Sequence, residues 1–342
     1  LKSTTGWNFK LSRILLLSNG HGEDLSGSLL AKHLVQRGDF VEALPIVGDG
    51  ENYKKENIRV IGNTREFRTG GIGYNSLKGR MIEIFEGQII YLSKKLYLSY
   101  KLRNKYDLYV VVGDIVPVFF AWLSKKNFFT YLVAYSSHYE GKLKLPWPCK
   151  FFLRSKNAKK IYARDYLTAD DLTLQLRKKV FFFGNPFMDK FLTFKQKSKI
   201  VPSIIGLFPG SRLPETLENL QLILRVLEKM SNLKYFENFA FNFAIVNAIS
   251  IEKIRQILSQ RKWIYVEQTT NHKSIKFKYG FITIKFIWNL FEEILFKSKF
   301  VISMAGTASE QAIGLAKPVI QIEGKGPQFT KSFAEAQRRL LG

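Results

Sequence analysis

The stretch from Ile204 to Asn219 reads IIGLFPGSRLPETLEN. Its first five residues, Ile204 to Phe208, form an unbroken apolar run, the pattern of a strand buried on both faces. Pro209-Gly210-Ser211-Arg212 then turns the chain and leaves a cation at the exit. A helix is expected from about Pro214, because proline fits a first helical turn and Glu215 and Glu218 suit the positive end of the helix dipole. Strand, tight Gly/Ser turn, Arg and helix start together make an anion holder, since backbone N–H groups and a guanidinium converge there. Taken alone, the same pattern also describes an ordinary strand–helix turn with a surface Arg. The rest of the chain decides between them.

The chain has 342 residues, which suggests two domains or one large α/β unit. Apolar residues make up 46% and charged residues 24%, so substantial cores are expected and disorder is not. The single cysteine, Cys149, excludes an intrachain disulfide and a thiolate zinc cluster, and fits a reducing compartment. Net charge is +25, from 53 basic and 28 acidic side chains. Such a field favours anionic partners, although a Lys-, Asn-, Ile- and Phe-rich composition accounts for part of it without function. Basic patches interleaved with aromatics, as in single-strand binders, are not evident, and nucleic acid is not expected as a partner. No apolar run reaches the roughly 20 residues that span a bilayer. Leu108 to Leu123 comes nearest and is broken by Asp114 and Pro117. The N-terminus has no signal-peptide pattern. The chain is expected to be clipped at its C-terminal end, where the basic stretch Lys331 to Gly342 lacks a closing element. His21, His33, His138 and His272 are scattered and give no local metal-ligand spacing, so no metal is expected.

Arg13 to Leu17 is a short apolar strand that runs into Ser18-Asn19-Gly20-His21-Gly22-Glu23-Asp24 and then a helix. This is how an open α/β sheet begins, and ligands of such folds sit at the carboxyl ends of the strands. The loop has neither GxGxxG nor a Walker GK[ST]. Two glycines, a His and two acids point to substrate handling, while the same acids also serve as plain helix-dipole residues. Thr69 to Tyr74 is too glycine-rich for regular structure and reads as a mobile loop. Ser76 to Lys105 reads as one or two helices whose apolar positions alternate with lysines and arginines. That pattern fits either a helix on an anionic membrane or an ordinary helix with a solvated face. Asp107 to Gly113 is a central strand that delivers Asp114 at its carboxyl end. Gly141 to Ile200 is strongly basic, with 15 basic against 4 acidic residues. The polar stretch 195–203 reads as a linker, so the expected domains are 11–194 and 204–342. In the second, Phe300 to Ser303 is a strand ending in Met304 to Gln311, and Asn271 to Gly280 shows no clear pattern. Both halves read as open α/β domains.

PGSR after a strand, FGNPFMD from Phe183, the loop Asn19 to Asp24 and GTASEQAIGLAKPVI from Gly306, in this order and spacing, resemble the lipid-A-disaccharide synthase family. The similarity is greatest to the lipid-A-disaccharide synthase-related proteins of cyanobacteria. It spans Arg13 to about Gln328 and is thin between Ser231 and Lys299. The resemblance implies a GT-B glycosyltransferase architecture: two Rossmann-like parallel-sheet domains facing a cleft. It implies transfer of an N-acetylglucosamine-type, acylated sugar from a UDP-sugar to a lipid-linked or acylated sugar acceptor. It further implies no bound metal or other cofactor, an inverting outcome, and a place on the cytoplasmic face of an anionic membrane. Oligomeric state is not implied.

Residue by residue, the resemblance places Gly210, Ser211 and Arg212 at the donor phosphates and Gly306 and Thr307 at a second phosphate-contacting turn. The family's ribose-holding Glu falls on Gln311, with Glu310 one residue earlier; a Gln can still bond a hydroxyl, without a carboxylate's charge. In the first domain it offers Asp24 at the acidic loop position and His21 where a smaller residue is usual. Asp114 is out of phase with the family's Asp-before-Pro and is kept as a site candidate. Asn185-Pro186 matches a turn between the domains. Direct transfer needs a general base for the acceptor hydroxyl. His21, Asp24 and Asp114 are the candidates, and an unperturbed His has the more suitable pKa. The competing readings are a UDP-GlcNAc 2-epimerase-like enzyme and a non-catalytic nucleotide-sugar-binding relative.

Overall fold

The computed structural model describes residues 11–65, 87–138, 141–194, 203–211, 213–269 and 273–324, together with 335 and 338. The glycine loop Thr69 to Tyr74, the start of the helical stretch from Ser76, most of the linker 195–203, Arg212 and nearly all of the closing basic stretch lie outside these residues. The chain divides into two compact units between Pro186 and Phe187.

The first unit is built on seven strands: β1 (Arg13–Ser18), β2 (Phe40–Pro45), β3 (Arg59–Val60), β4 (Leu108–Val112), β5 (Phe128–Leu132), β6 (Ala158–Ala163) and β7 (Val180–Phe181). They pair in the order β3-β2-β1-β4-β5-β6-β7, all parallel. The apolar run of β1 is continuous because both faces are covered. Leu15 and Leu17 face a core shared with helices Gln88–Leu102, Ile115–Leu123, Cys149–Arg154 and Tyr166–Leu176. Ile14 and Leu16 face the opposite core, with helix His21–Gln36 and Tyr53 of the short helix Glu51–Lys55. The order reverses between β1 and β4, so the switch point of the sheet lies where these two strands end.

The second unit also has seven strands: β8 (Ser203–Phe208), β9 (Phe239–Ile245), β10 (Ile264–Thr269), β11 (Ser274–Tyr279), β12 (Ile282–Trp288), β13 (Ser298–Ser303) and β14 (Val319–Gln321). Their order is β10-β11-β12-β9-β8-β13-β14. The five strands from β12 to β14 are parallel, but β10, β11 and β12 run antiparallel to one another. The Rossmann-like parallel sheet thus carries an antiparallel edge at β10 and β11. Tyr279 pairs with Ile282, so Gly280-Phe281 closes a two-residue hairpin with Gly280 at positive φ. Ile275 and Phe277 on one strand and Ile282, Ile284 and Phe286 on the other point to the core at every second residue. Phe243 and Phe286, opposite each other in register, stack with centroids 4.6 Å apart, a contact of about 0.5–1.5 kcal/mol beyond area burial.

The division of the chain falls before the polar stretch because the intervening aromatics pack into the second unit. Phe191 joins a core with Leu295 and Ala312, and the Phe194 ring lies 5.1 Å from that of Phe296. Helix Glu215–Met230 carries Glu228 near its end, where Arg261 grips both carboxylate oxygens and Trp263 Nε1 donates to one of them at 2.9 Å. Among the described residues no helix is long and apolar enough to cross a membrane.

Candidate functional site

In the second sheet the order reverses at β8 and β13, and the two turns singled out in the sequence both lie there. Ser303 is in register with Phe208, and Met304 N donates to Phe208 O at 2.8 Å. The turn Pro209-Gly210-Ser211 after β8 is tied to the following helix by Asn219, which is buried and donates to Pro209 O at 3.0 Å. The turn after β13 is held by two buried serines. Ser303 Oγ accepts from Ala305 N at 3.3 Å, and Ser309 Oγ lies 2.8 Å from the Ala305 carbonyl. Helix Gly306–Gly314 starts at this point. Its first N–H groups, those of Gly306 and Thr307, have no carbonyl four residues back within the helix, and the dipole adds positive potential there. The structure thus brings Gly210, Ser211, Gly306 and Thr307 to one carboxyl edge. Arg212 lies outside the described residues.

Glu310 and Gln311 have different surroundings. Gln311 is buried and its Nε2 donates to the Phe187 carbonyl at 3.2 Å, which ties helix Gly306–Gly314 to the start of the unit. Glu310, one position earlier, remains partly exposed. The residue expected first to hold ribose hydroxyls is therefore engaged inside the protein, and its neighbour is the more accessible of the two.

In the first unit the switch point is built by the ends of β1 and β4. Asn19 Nδ2 lies 3.3 and 3.2 Å from the two oxygens of Asp114. Asp114 also caps helix Ile115–Leu123, accepting from Val116 N at 2.9 Å, while Ile115 N donates to Tyr135 Oη at 3.0 Å. Burial pushes the Asp114 carboxyl above the usual range, against the lowering effect of the Val116 and Asn19 bonds. Glu23 lies in the same place. A Cβ on Gly20 (φ +125°) would meet Glu23 Oε2 at 2.7 Å, and one on Gly113 (φ +138°) would meet its Cγ at 3.2 Å. Both glycines hold a left-handed backbone that disfavours a side chain, and Gly113 is further crowded by Glu23 and Pro117. In the sequence Glu23 is one of the two loop acids that point either to substrate handling or to the helix dipole; the structure sets it beside Gly20 and Gly113 at the ends of two central strands.

Asp24 sits beneath this loop and is fully buried. Ser18 Oγ donates to its Oδ1 at 2.6 Å, and the buried Tyr53 Oη donates to Ser18 Oγ at 2.7 Å. Its Oδ2 packs against Gly48 without a hydrogen bond. Burial raises the Asp24 pKa to about 7, and nearby Asp49 adds to the rise while Ser18 and Lys95 oppose it. Lys95 is itself buried, donates to Pro45 O at 2.7 Å, and has its pKa lowered by burial to about 8. In this state the Asp24 carboxyl is shielded from any substrate, and its contacts hold the loop from below. His21 opens helix His21–Gln36, and its side chain lies outside what the structure describes. Cys149 is buried, which pushes its thiol up to about 12, so it is no nucleophile as placed. Among the described residues no group of three or more His, Cys, Asp or Glu side chains is arranged to hold a metal ion.

No protein-family model matches the chain, and no curated protein does. Solved structures share its fold. The S. aureus MnaA–UDP co-structure aligns over 97% of this chain and 90% of its own length, at 13% identity and a TM-score of 0.51. CalG4, the calicheamicin glycosyltransferase, aligns over 97% and 84%, at 11% identity and a TM-score of 0.57. A putative UDP-N-acetylglucosamine 2-epimerase from Listeria monocytogenes aligns over 96% and 86%, at 14% identity and a TM-score of 0.50. At such identities the likeness is one of architecture. The chain has the GT-B-like arrangement of two Rossmann-like domains, and the likeness does not single out the lipid-A-disaccharide synthases.

Proposed function

We propose that this protein is an enzyme acting on a UDP-sugar, with the second unit holding the nucleoside diphosphate. The observation that carries the reading is the meeting of Gly210-Ser211 with the Gly306-Thr307 helix start at the β8/β13 switch point. Backbone N–H groups of two turns and a helix dipole are what a diphosphate needs, and Arg212 adds a guanidinium by its place in the sequence. Glu310 is the proposed partner of the ribose hydroxyls. MnaA with UDP and the putative UDP-N-acetylglucosamine 2-epimerase support a uridine-diphosphate substrate for this architecture, and CalG4 supports sugar chemistry on it.

The putative 2-epimerase favours epimerase-like chemistry over transfer, and the MnaA structure with bound UDP is consistent with either. The bond from sugar to diphosphate then breaks by elimination and re-forms by re-addition, and a proton must leave and return at the sugar. The carboxyls of Asp114 and Glu23, gathered at the first switch point, are the proposed proton carriers. A raised pKa brings Asp114 nearer to neutrality, where one group both accepts and donates efficiently. Asp24 is proposed as a positioning residue for this loop.

A second reading, transfer to a lipid-linked or acylated sugar, keeps support from the ordered motifs and from large apolar side chains exposed on the first unit, Trp147 among them. Incubation with UDP-GlcNAc alone separates the two. An epimer formed without acceptor supports epimerisation, and release of UDP only when a lipid extract is added supports transfer. Absence of UDP binding to the protein overturns both.

A further inference from the structure

Side chains alternate along a strand, so Arg13, Leu15 and Leu17 of β1 share one face of the first sheet with Phe40, Glu42 and Leu44 of β2 and with Arg59 of β3. The register agrees: Arg13 pairs with Phe40, and Glu42 pairs with Arg59. Helix Gln88–Leu102 covers this face, its Leu92, Leu96 and Leu98 packing against the core that holds Leu15, Leu17 and Leu44. The helix stops at Leu102, and a cavity of about 400 Å³ opens there, at the edge where the strands begin. Arg13, Phe40, Glu42, Arg59, Lys105 and Tyr106 stand around it. Ile61 and Leu102 add an apolar wall, half-buried against the core below.

The charges of this cavity are held in place. Glu42 is buried; its Oε2 accepts from Tyr106 Oη at 2.5 Å, and its Oε1 lies 3.1 Å from Arg59 Nη1. Arg59 keeps donors to spare, since a guanidinium carries five. The Arg13 guanidinium stands over the Phe40 ring, 5.0 Å from its centroid. Lys105 is exposed at the end of the short turn Arg103–Lys105 that follows the helix. Among the described residues neither the Arg13 nor the Lys105 side chain pairs with a carboxylate. Two acids adjoin the cavity in the chain, and both are engaged. Asp39 accepts from Arg37 Nε at 2.6 Å and from Ser12 N at 3.0 Å, and Asp107 accepts from Arg13 N at 2.9 Å. In the lining itself, three cations against one acid leave a net charge of +2.

We propose that this cavity is a second ligand site, for a small soluble phosphate monoester with a short apolar body. Guanidinium and ammonium groups are the donors that phosphate oxygens favour, and a dianion matches the net charge of the lining. Ile61 and Leu102 offer the body an apolar wall, and a cavity of this size suits a small ligand. Arg13, stacked on Phe40, and Arg59, tied to Glu42, are fixed before the ligand arrives, which lowers the entropy lost on binding. The site lies at the amino edge of the sheet, opposite the carboxyl edge that carries Asn19 and Asp114. Its ligand is therefore separate from the substrate of the proposed reaction, and the inference does not depend on that reaction.

The test is calorimetric titration of phenyl phosphate into the whole protein, with and without saturating UDP, beside a titration of inorganic phosphate. The expected result is saturable one-to-one binding that UDP leaves unchanged, about tenfold weaker for inorganic phosphate, which lacks the apolar body. Affinity should fall at least about tenfold in Arg13→Gln/Lys105→Gln and stay the same in Lys278→Gln, which removes an exposed cation from the second unit. Lys105→Gln alone, on an exposed turn, should weaken binding about fivefold, and serves if thermal melting shows the double variant unfolded. UDP binding by these variants should be unchanged, which separates failure here from failure of the proposed function. No binding by the unaltered protein, displacement of phenyl phosphate by UDP, equal affinity for inorganic phosphate, or equal affinity in Lys105→Gln overturns the proposal.

Discussion

Asn19 and Asp114, 95 residues apart in the chain, meet at the switch point of the first sheet, with Asn19 Nδ2 within 3.3 Å of both carboxylate oxygens. Neighbouring parallel strands end side by side, so a loop residue after β1 and a cap residue after β4 become partners. The bond favours the charged carboxylate and works against the upward shift that burial imposes on Asp114.

Removing that donor should move activity along the pH axis. In Asn19→Ala the pH profile for UDP-sugar turnover is expected to shift to higher pH on its acidic limb. In Asp114→Asn turnover is expected to fall about 10²–10⁴-fold while UDP binding is kept. Turnover equal to that of the unaltered protein would remove Asp114 from the chemistry.

Asp24 makes a prediction about stability. Its pKa rises from 3.8 to about 7 on folding, so between these values the folded protein keeps a proton that the unfolded chain releases. Stability therefore falls as pH rises through that window, by on the order of a few kcal/mol from this group. Asp24→Asn keeps an acceptor for Ser18 and removes the titration. Relative to the unaltered protein it should gain stability between pH 5 and pH 8 in urea unfolding. An equal difference at both pH values would refute the assignment.

Glu310 and Gln311 should separate binding from folding. Glu310→Ala is expected to weaken UDP binding about tenfold, in keeping with loss of a charged hydrogen bond to a hydroxyl. Gln311→Ala is expected to lower stability by about 1 kcal/mol through the lost bond to Phe187 O, with a smaller effect on UDP. Calorimetric titration and thermal melting of both variants decide it.

Glu228 supplies a prediction away from the site. Glu228→Ala strips Arg261 and the buried Trp263 indole of a shared acceptor and should cost about 2–3 kcal/mol in urea unfolding. A loss under 0.5 kcal/mol, the usual level for a surface pair, would show that the cluster is solvated.

Much of the fold was legible because burial on both faces leaves long apolar runs. Ile204 to Phe208, Asp107 to Gly113 and Arg13 to Leu17 all became central strands. Gly306-Thr307 and Gly210-Ser211 were legible as turns, and the structure sets them side by side. The hairpin of β11 and β12 was missed although Ser274 to Trp288 alternates in twos, because lysines on its outer face masked the pattern. The burial of Asp24 and Gln311 was not legible at all. Nothing local distinguishes an acid aimed at a ligand from one aimed at Ser18 and Gly48, and Gln311 depends on a carbonyl 124 residues away. Glu23 was legible only as one of two loop acids, for substrate handling or for the helix dipole, because its place between Gly20 and Gly113 exists only in three dimensions.

The most direct test of UDP held at the β8/β13 edge is calorimetric titration of UDP into the unaltered protein and into Thr307→Glu, which sets a carboxylate at the helix start. The expected result is saturable one-to-one binding to the first and loss of at least about tenfold affinity in the second, as two like charges brought together would give. No binding by the unaltered protein, or equal affinity in Thr307→Glu with the fold intact, would contradict it.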